Sequence, residues 1–250
     1  MSERCRLQPR VTIGARTIVY DNVDVGEESV VGPNVTLGEP QASYYSDKDY
    51  ENPLLRIGRR SLIRSGSIIY AGSELGEHFE CGHHVTVRER SQIAAHCRVG
   101  TLSDIQGDCS IGEYTRLHSN VHVAQGSVIG RYVWLFPYVV LTNDAHPPSE
   151  QRAGVTIDDY AVVATGAVLL AGVRVGSGAL VGANSVVRED VPAMTVVAGR
   201  PATQLGDVRL IRSPDTGQPL YPWPRRFTRG MPWEEMGYEA WSRDASGADS

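Results

Sequence analysis

Two groups of residues carry side chains suited to proton transfer. His122 follows Asp104 at a spacing of 18 residues, and His146 follows Asn143 and Asp144 in the segment LTNDAHPPSEQR. A neutral imidazole accepts a proton near pH 7, and a neighbouring carboxylate fixes which ring nitrogen stays basic. Either histidine is therefore a candidate general base, provided that the fold brings it to an acidic partner.

An aliphatic residue recurs at every sixth position over most of the chain. The series runs from Ile13 to Leu37, from Ile57 to Leu141 and from Ile157 to Val187, and Cys81 is its one anchor that is not aliphatic. The fourth residue after each anchor is small or β-branched, with Phe79 the bulky exception, and the residue directly after it is often glycine. We expect these glycines to form corners with positive φ. One short strand and one corner per hexad, with three hexads per coil, predict an all-β, triangular parallel β-helix.

Three hexads per coil place residues 18 apart on top of one another, at about 4.8 Å. Asp104 is thereby predicted to lie directly below His122. The interruptions at about 39–56 and 143–156 become loops that leave the β-helix domain of residues 1–203. In the C-terminal tail, residues 204–250, we expect extended segments around a Pro-Asp-Thr-Gly turn, a short helix in PWEEMGYEAWSR and disorder over about the last eight residues.

Over residues 11–203 the repeat resembles the [LIV]-[GAED]-x-x-[STAV]-x motif of the hexapeptide-repeat acyltransferases. The resemblance implies left-handed coiling and a homotrimer with active sites between subunits. It also implies a histidine general base and acetyl-CoA, or another acyl-CoA, as co-substrate. The expected activity is N-acylation of an amino sugar, carried on a nucleoside diphosphate, without a metal.

Local segments refine this resemblance. TNDAHPP resembles the loop of galactoside and maltose O-acetyltransferases, in which a histidine is the base, and the TND-x-[YF]-PR segment of nucleotide-sugar N-acetyltransferases. His146 replaces the aromatic residue of the latter, and Pro148 replaces its arginine. NVHVAQG is similar to the NAHIAHD motif of lipid A acyltransferases but has Gln125 at the position of their base, which argues against that specificity. Which histidine is the base stays open between His122 and His146.

The acyl donor is expected along the last coils, where VATGAVLLAGVRVGSGALVGANSVV has small outward residues. Ala164, Gly166, Gly182 and Ala183 are the predicted contacts of its pantetheine arm. VVAGRPAT resembles the closing segment of the family, which implies that Arg200 meets the nucleotide phosphates.

Three alternatives remain beside N-acylation. The first is O-acetylation of a sugar or antibiotic hydroxyl. The second is a metal enzyme similar to γ-carbonic anhydrases, which is disfavoured because Thr86 and Gly82 stand two coils before His122 and His118 where a second histidine ligand is needed. The third is a non-catalytic structural β-helix. His78 and His96, 18 residues apart, are interpreted as corner packing that Tyr114 continues.

Composition narrows the partners and the location. A net charge of −5, with no block of Lys or Arg, argues against nucleic acid. The sequence has neither a signal-peptide apolar region nor about 18 consecutive apolar residues, so no membrane contact and a cytoplasmic location are expected. Cys81, Cys97 and Cys109 fall in inward columns, where free, inert thiols are expected.

Overall fold

Three parallel sheets form the faces of a triangular β-helix in the computed structural model, which describes residues 4–247. Each strand pairs with the strand one coil above it, as in Asp104 with His122 and His122 with Val140. The predicted left-handed parallel β-helix and its 18-residue register are confirmed. Among the described residues, the sheets contain nine, eleven and nine strands.

The strands of each sheet are short and follow the hexads. The first sheet contains Arg6–Leu7, Val23–Val25, Leu55–Ile57, Glu74–Leu75, Gln92–Ile93, Ser110–Ile111, Val128–Ile129, Thr156–Ile157 and Arg174–Val175. The second contains Thr12–Ile13, Val30–Val31, Leu62–Ile63, Glu80–Cys81, Arg98–Val99, Arg116–Leu117, Trp134–Leu135, Val162–Val163, Leu180–Val181, Thr195–Gly199 and Ala202–Asp207. The third contains Ile18–Val19, Thr36–Glu39, Ile68–Tyr70, Thr86–Val87, Asp104–Ile105, His122–Val123, Val140–Leu141, Val168–Leu169 and Val186–Val187.

The core is the narrow interior of the β-helix, filled by the anchors and by the small residues four positions later. Phe79, the bulky exception in the second column, is fully buried. Cys81, Cys97 and Cys109 are buried as predicted. Burial raises the pKa of Cys81 to about 11 and that of Cys97 to about 12, so both stay protonated thiols near neutral pH.

The corners correct one expectation about glycine. Positive φ occurs at the third residue after an anchor, as in His78, Tyr114 and Gly166, and not at the glycine directly after it. At Gly76, a Cβ would lie 2.4 Å from the backbone nitrogen of Ala95 in the next coil. Glycine is required there because successive coils approach closely, which is a steric reason and not a torsional one.

Both predicted loops leave the β-helix at the expected positions. The first contains the 3-10 helix Ala42–Tyr45 and returns at Leu55–Ile57. The second leaves after Val140–Leu141 and returns at Thr156–Ile157, with an antiparallel bridge between Asp144 and Arg152 across its base.

The tail packs against the second sheet and forms a separate aromatic core. Trp223, Met231 and Trp233 are buried there with Tyr132 and Val162 of the β-helix. The strand Ala202–Asp207 crosses the predicted boundary at residue 203 and pairs antiparallel with Thr195–Gly199. Packing of the tail onto the β-helix was not predicted.

The local elements of the tail follow the sequence in part. The expected turn is present, because Arg212 and Pro219 form an antiparallel bridge around it. Val208–Leu210 and Trp223–Arg225 are 3-10 helices, and the α-helix spans Tyr238–Gly247. This helix begins later than predicted and includes residues expected to be disordered, while residues 248–250 lie outside the described part of the chain. Within residues 4–247, no helix has the length and apolar character needed to cross a bilayer.

We expect Phe79→Ala to lower the free energy of unfolding by about 3–5 kcal/mol, because the rigid coils cannot close the cavity. Val30→Ala, on the exposed side of the same sheet, is the control, with an expected change within about 0.5 kcal/mol. Urea denaturation followed by circular dichroism measures both. Equal losses in the two variants would contradict this account of the core.

Candidate active site

A histidine and a carboxylate face outward together on the third sheet. Asp104 and His122 are in register on adjacent strands, and Asp104 Oδ2 lies 3.3 Å from His122 Nδ1. The two side chains are 36% and 41% exposed, so both reach solvent and a ligand. A proton on Nδ1 shared with the carboxylate leaves Nε2 free to accept another, which is the state that a general base needs.

The carboxylate of Asp104 has a second donor that the sequence did not indicate. Gln106 Nε2 also donates a hydrogen bond to Asp104 Oδ2. Burial acts to raise the pKa of Asp104, but the hydrogen bonds from His122 and Gln106 outweigh it and lower the pKa below its usual value. Asp104 is therefore ionised near neutral pH. Gln106 stands two residues after Asp104, on the same strand direction, which is the only signal that the sequence contained.

A groove of about 550 Å³ opens beside this pair, at the base of the second loop. Its lining includes His122, Asn143 and Asp144, as well as Arg188 from a higher coil. Three of the predicted catalytic residues therefore border one cavity. Arg188, which the sequence analysis missed, follows the last anchor, Val187.

His146 does not line this groove and is exposed on the loop. Its backbone N–H donates to Asp144 Oδ1, at 3.1 Å. The Asp144 carboxylate also accepts hydrogen bonds from Ser149, and it forms an ion pair with Arg152 at 3.0 Å. These donors lower the pKa of Asp144, with the Ser149 side chain as the largest cause. Asp144 thus holds the loop in shape. Its role, and that of His146, in catalysis stays a prediction.

Asn143 joins the loop to the β-helix. Its side-chain amide donates to the carbonyl of Gln125, at 3.2 Å, and its own carbonyl accepts from the N–H of Ala153. Gln125, which stands where lipid A acyltransferases have their base, donates to Asp108 Oδ2 at 2.6 Å. It is therefore engaged in the neighbouring corner.

The predicted donor residues share one corner, between the second and third sheets. Ala164 stacks below Gly182, since the Ala164 N–H bonds the carbonyl of Val181. A Cβ at Gly182 would lie 2.7 Å from that of Ala198, and Ala183 is exposed beside it. This corner offers a smooth surface of small residues.

Gly166 and Arg200 meet at the same corner through one residue, Asn184. Gly166 has a φ of +72°, and a Cβ there would come within 2.5 Å of Asn184 Oδ1. Arg200 Nε donates to the Asn184 carbonyl at 2.6 Å, which fixes the exposed guanidinium beside the small residues. The predicted cofactor residues therefore form one group, although their contact with a cofactor remains a prediction.

One group of possible metal ligands occurs among the described residues. Glu77, His78 and His96 hold potential ligand atoms within 4.8 Å of one another. The rings of His78 and His96 are stacked 4.6 Å apart and only 9° from parallel, and Tyr114 continues the stack. A ring nitrogen binds a metal in the plane of its ring, so stacked rings cannot both direct a lone pair at one ion. The stack favours the interpretation as corner packing.

The Asp104–His122 pair makes a prediction that needs no assay of activity. In 15N NMR spectra, His122 should show a protonated Nδ1 and a bare Nε2, because the carboxylate accepts from Nδ1. Asp104→Asn should remove this tautomer preference. The same substitution at Asp108, on the next corner, is the control and should leave the His122 signals unchanged. Identical tautomer populations in the Asp104 variant and the wild type would contradict the pairing.

Comparisons with known proteins support this fold. No family model matches the chain. Two proteins of Staphylococcus aureus, strains bovine RF122 / ET3-1 and JH9, are named 2,3,4,5-tetrahydropyridine-2,6-dicarboxylate N-acetyltransferase and are 43% and 42% identical over 83 residues. The aligned segment covers 33% of this chain and 29% of each relative, so the chain spans less than a third of their length.

A solved structure extends the likeness over most of the β-helix. The UDP-N-acetylglucosamine acyltransferase of Arabidopsis superposes with a TM-score of 0.61 at 18% identity, over 82% of this chain and 73% of that one. At this identity the match concerns the fold alone. Together with the hexad repeat, these findings place the chain in the hexapeptide-repeat acyltransferase family of left-handed β-helix proteins.

Proposed function

We propose that this protein is an acyl-CoA-dependent N-acyltransferase in which His122 is the general base. The observation that carries the proposal is the Asp104–His122 pair on the rim of a groove. Nε2 of His122 takes a proton from the acceptor ammonium, and the free amine attacks the thioester carbonyl. A C–N bond forms, the C–S bond breaks, and the coenzyme A thiolate leaves and takes up a proton.

Acetyl-CoA is the proposed donor, lying along the corner of small residues. Backbone groups near Ala164 and Gly182 are accessible to the amides of a pantetheine arm because no side chain covers them. Arg200 is fixed at the same corner and carries a charge suited to a nucleotide phosphate. Positioning donor and acceptor together supplies a large part of the rate acceleration, and the thioester supplies the driving force.

The proposed acceptor is an amino sugar carried on a nucleotide, and the protein works as a homotrimer whose clefts complete each site. The name of the Arabidopsis protein with the same fold includes a nucleotide sugar. The names of the relatives describe N-transfer, which favours an amine over a hydroxyl acceptor.

A second acceptor class follows from those same names. The relatives are named for a dicarboxylate, so an amine that carries carboxylates is the alternative acceptor. Arg188 on the groove is a cation that would pair with such a carboxylate. A thiol-release assay with amino-sugar nucleotides and with amino dicarboxylates distinguishes the two classes.

His122→Ala should reduce kcat about 100-fold or more, because a positioned base contributes about 10²–10⁴ in rate. His146→Ala is the matched control, since His146 is exposed and outside the groove, and it should change kcat less than about threefold. Thiol release measures both variants. A larger loss at His146 than at His122 would move the base to the loop.

Acetyl-CoA should raise the melting temperature, because a ligand that binds only the folded state adds about 2.7 kcal/mol at 100 times its Kd. Ala183→Trp should abolish this shift by filling the corner. Ala15→Trp changes the same corner position near the other end of the β-helix, where Ala15 is also exposed, and should retain the shift. Loss of the shift in both variants, or no shift in the wild type, would contradict the donor site.

A further inference from the structure

Four arginines surround a pocket of about 320 Å³ between the second sheet and the C-terminal tail. Arg64, Arg98 and Arg116 come from the β-helix, and Arg229 comes from the tail. Arg98 and Arg116 occupy adjacent rungs of one outward column, because their strands pair in register. Neither the acyl-transfer groove nor the predicted donor corner includes these residues.

The pocket carries an excess of positive charge. Among the described residues that line it, Glu80 is the one carboxylate, and it pairs with Arg98 at 3.3 Å. Within residues 4–247, neither Arg64 nor Arg229 forms an ion pair. Four guanidiniums against one carboxylate leave three uncompensated charges, in a chain whose net charge is −5. This excess would attract a multivalent anion.

Arg116 is the most unusual member, because it is only 7% exposed and has no acidic partner among the described residues. Its Nη1 donates to the His96 carbonyl at 2.6 Å and its Nη2 donates to the Gly230 carbonyl at 2.7 Å. Burial, followed by repulsion from Arg98, lowers the pKa of Arg116 to about 10. A charge buried at this cost without a counter-ion is typical of a site that receives one from a ligand.

Two further details suit the pocket to an acceptor-rich ligand. Trp134 lines it, and its indole Nε1 is buried without a hydrogen-bond partner in the described part of the chain. A Cβ at Gly230 would lie 3.4 Å from Arg116 Nη2, so glycine lets the tail approach the guanidinium closely. The tail therefore forms one wall of the pocket without filling it.

We propose that this pocket binds a diphosphate group of a small molecule. A diphosphate offers several oxygens and two or more negative charges, which matches converging guanidiniums better than a single carboxylate does. The molecule is either the coenzyme A donor or a nucleotide-linked acceptor, and this assignment rests on the proposed function. Gly100 and His118 of the pocket lie in the same corner column as Gly182, which connects the pocket to the donor corner along the axis.

Calorimetric titration of the full chain with pyrophosphate tests the site without any turnover. Arg98→Gln should weaken binding about tenfold, because one charge-assisted hydrogen bond is lost. Glu80→Gln should strengthen it, because a repelling carboxylate is removed. Arg56→Gln is the matched control: Arg56 is as exposed as Arg98, at 54% against 53%, and pairs with Glu74 on the first sheet at 3.4 Å. Its affinity should equal that of the wild type.

Equal affinities for Arg98→Gln and Arg56→Gln would overturn the proposal, as would malonate binding as tightly as pyrophosphate. Titrations with UDP and with coenzyme A then identify the source of the diphosphate. If Arg98→Gln weakens UDP alone, the pocket belongs to the acceptor, and if it weakens coenzyme A alone, it belongs to the donor. Pyrophosphate binding with inactive acyl transfer would support the pocket and contradict only the proposed function.

Discussion

The close approach of successive coils at the corners is the constraint on which the rest of the structure depends. A Cβ at Gly76 would lie 2.4 Å from the backbone of the next coil, and several other corner glycines are as tight. The coils can therefore stack only in one register, and the narrow interior then admits one aliphatic and one small residue per hexad. Side chains that point outward inherit the same register, so chemistry on the faces is arranged by the packing inside.

Parallel stacking brings identical positions of successive coils into lateral contact. On the third sheet this places a carboxylate beside an imidazole, and on the second it places Arg98 beside Arg116. The first pairing is favourable and gives the histidine a defined tautomer. The second is unfavourable in isolation, and the β-helix holds it in place because the interior packing stabilises the register.

The sequence predicted the features that obey the period and failed on those that do not. The sheets, both loops and the Asp104–His122 contact all follow from counting by 18 residues. The positions of His146 and of the aromatic tail did not, because a loop and a tail have no register and their packing depends on distant residues. The role of the corner glycines was misjudged, since a glycine demanded by steric approach and one demanded by positive φ look alike in a sequence.

The 18-residue register also limits how such a chain can change in length during evolution. Loss or gain of one hexad would turn every later residue by a third of a coil, and Asp104 and His122 would no longer share a face. Loss or gain of a whole coil keeps each face aligned and only shortens or lengthens the axis. Insertions of other sizes are confined to the corners, where the chain already leaves at residues 39–56 and 143–156. Length variation in this architecture is therefore stepwise along the axis and free only at its edges.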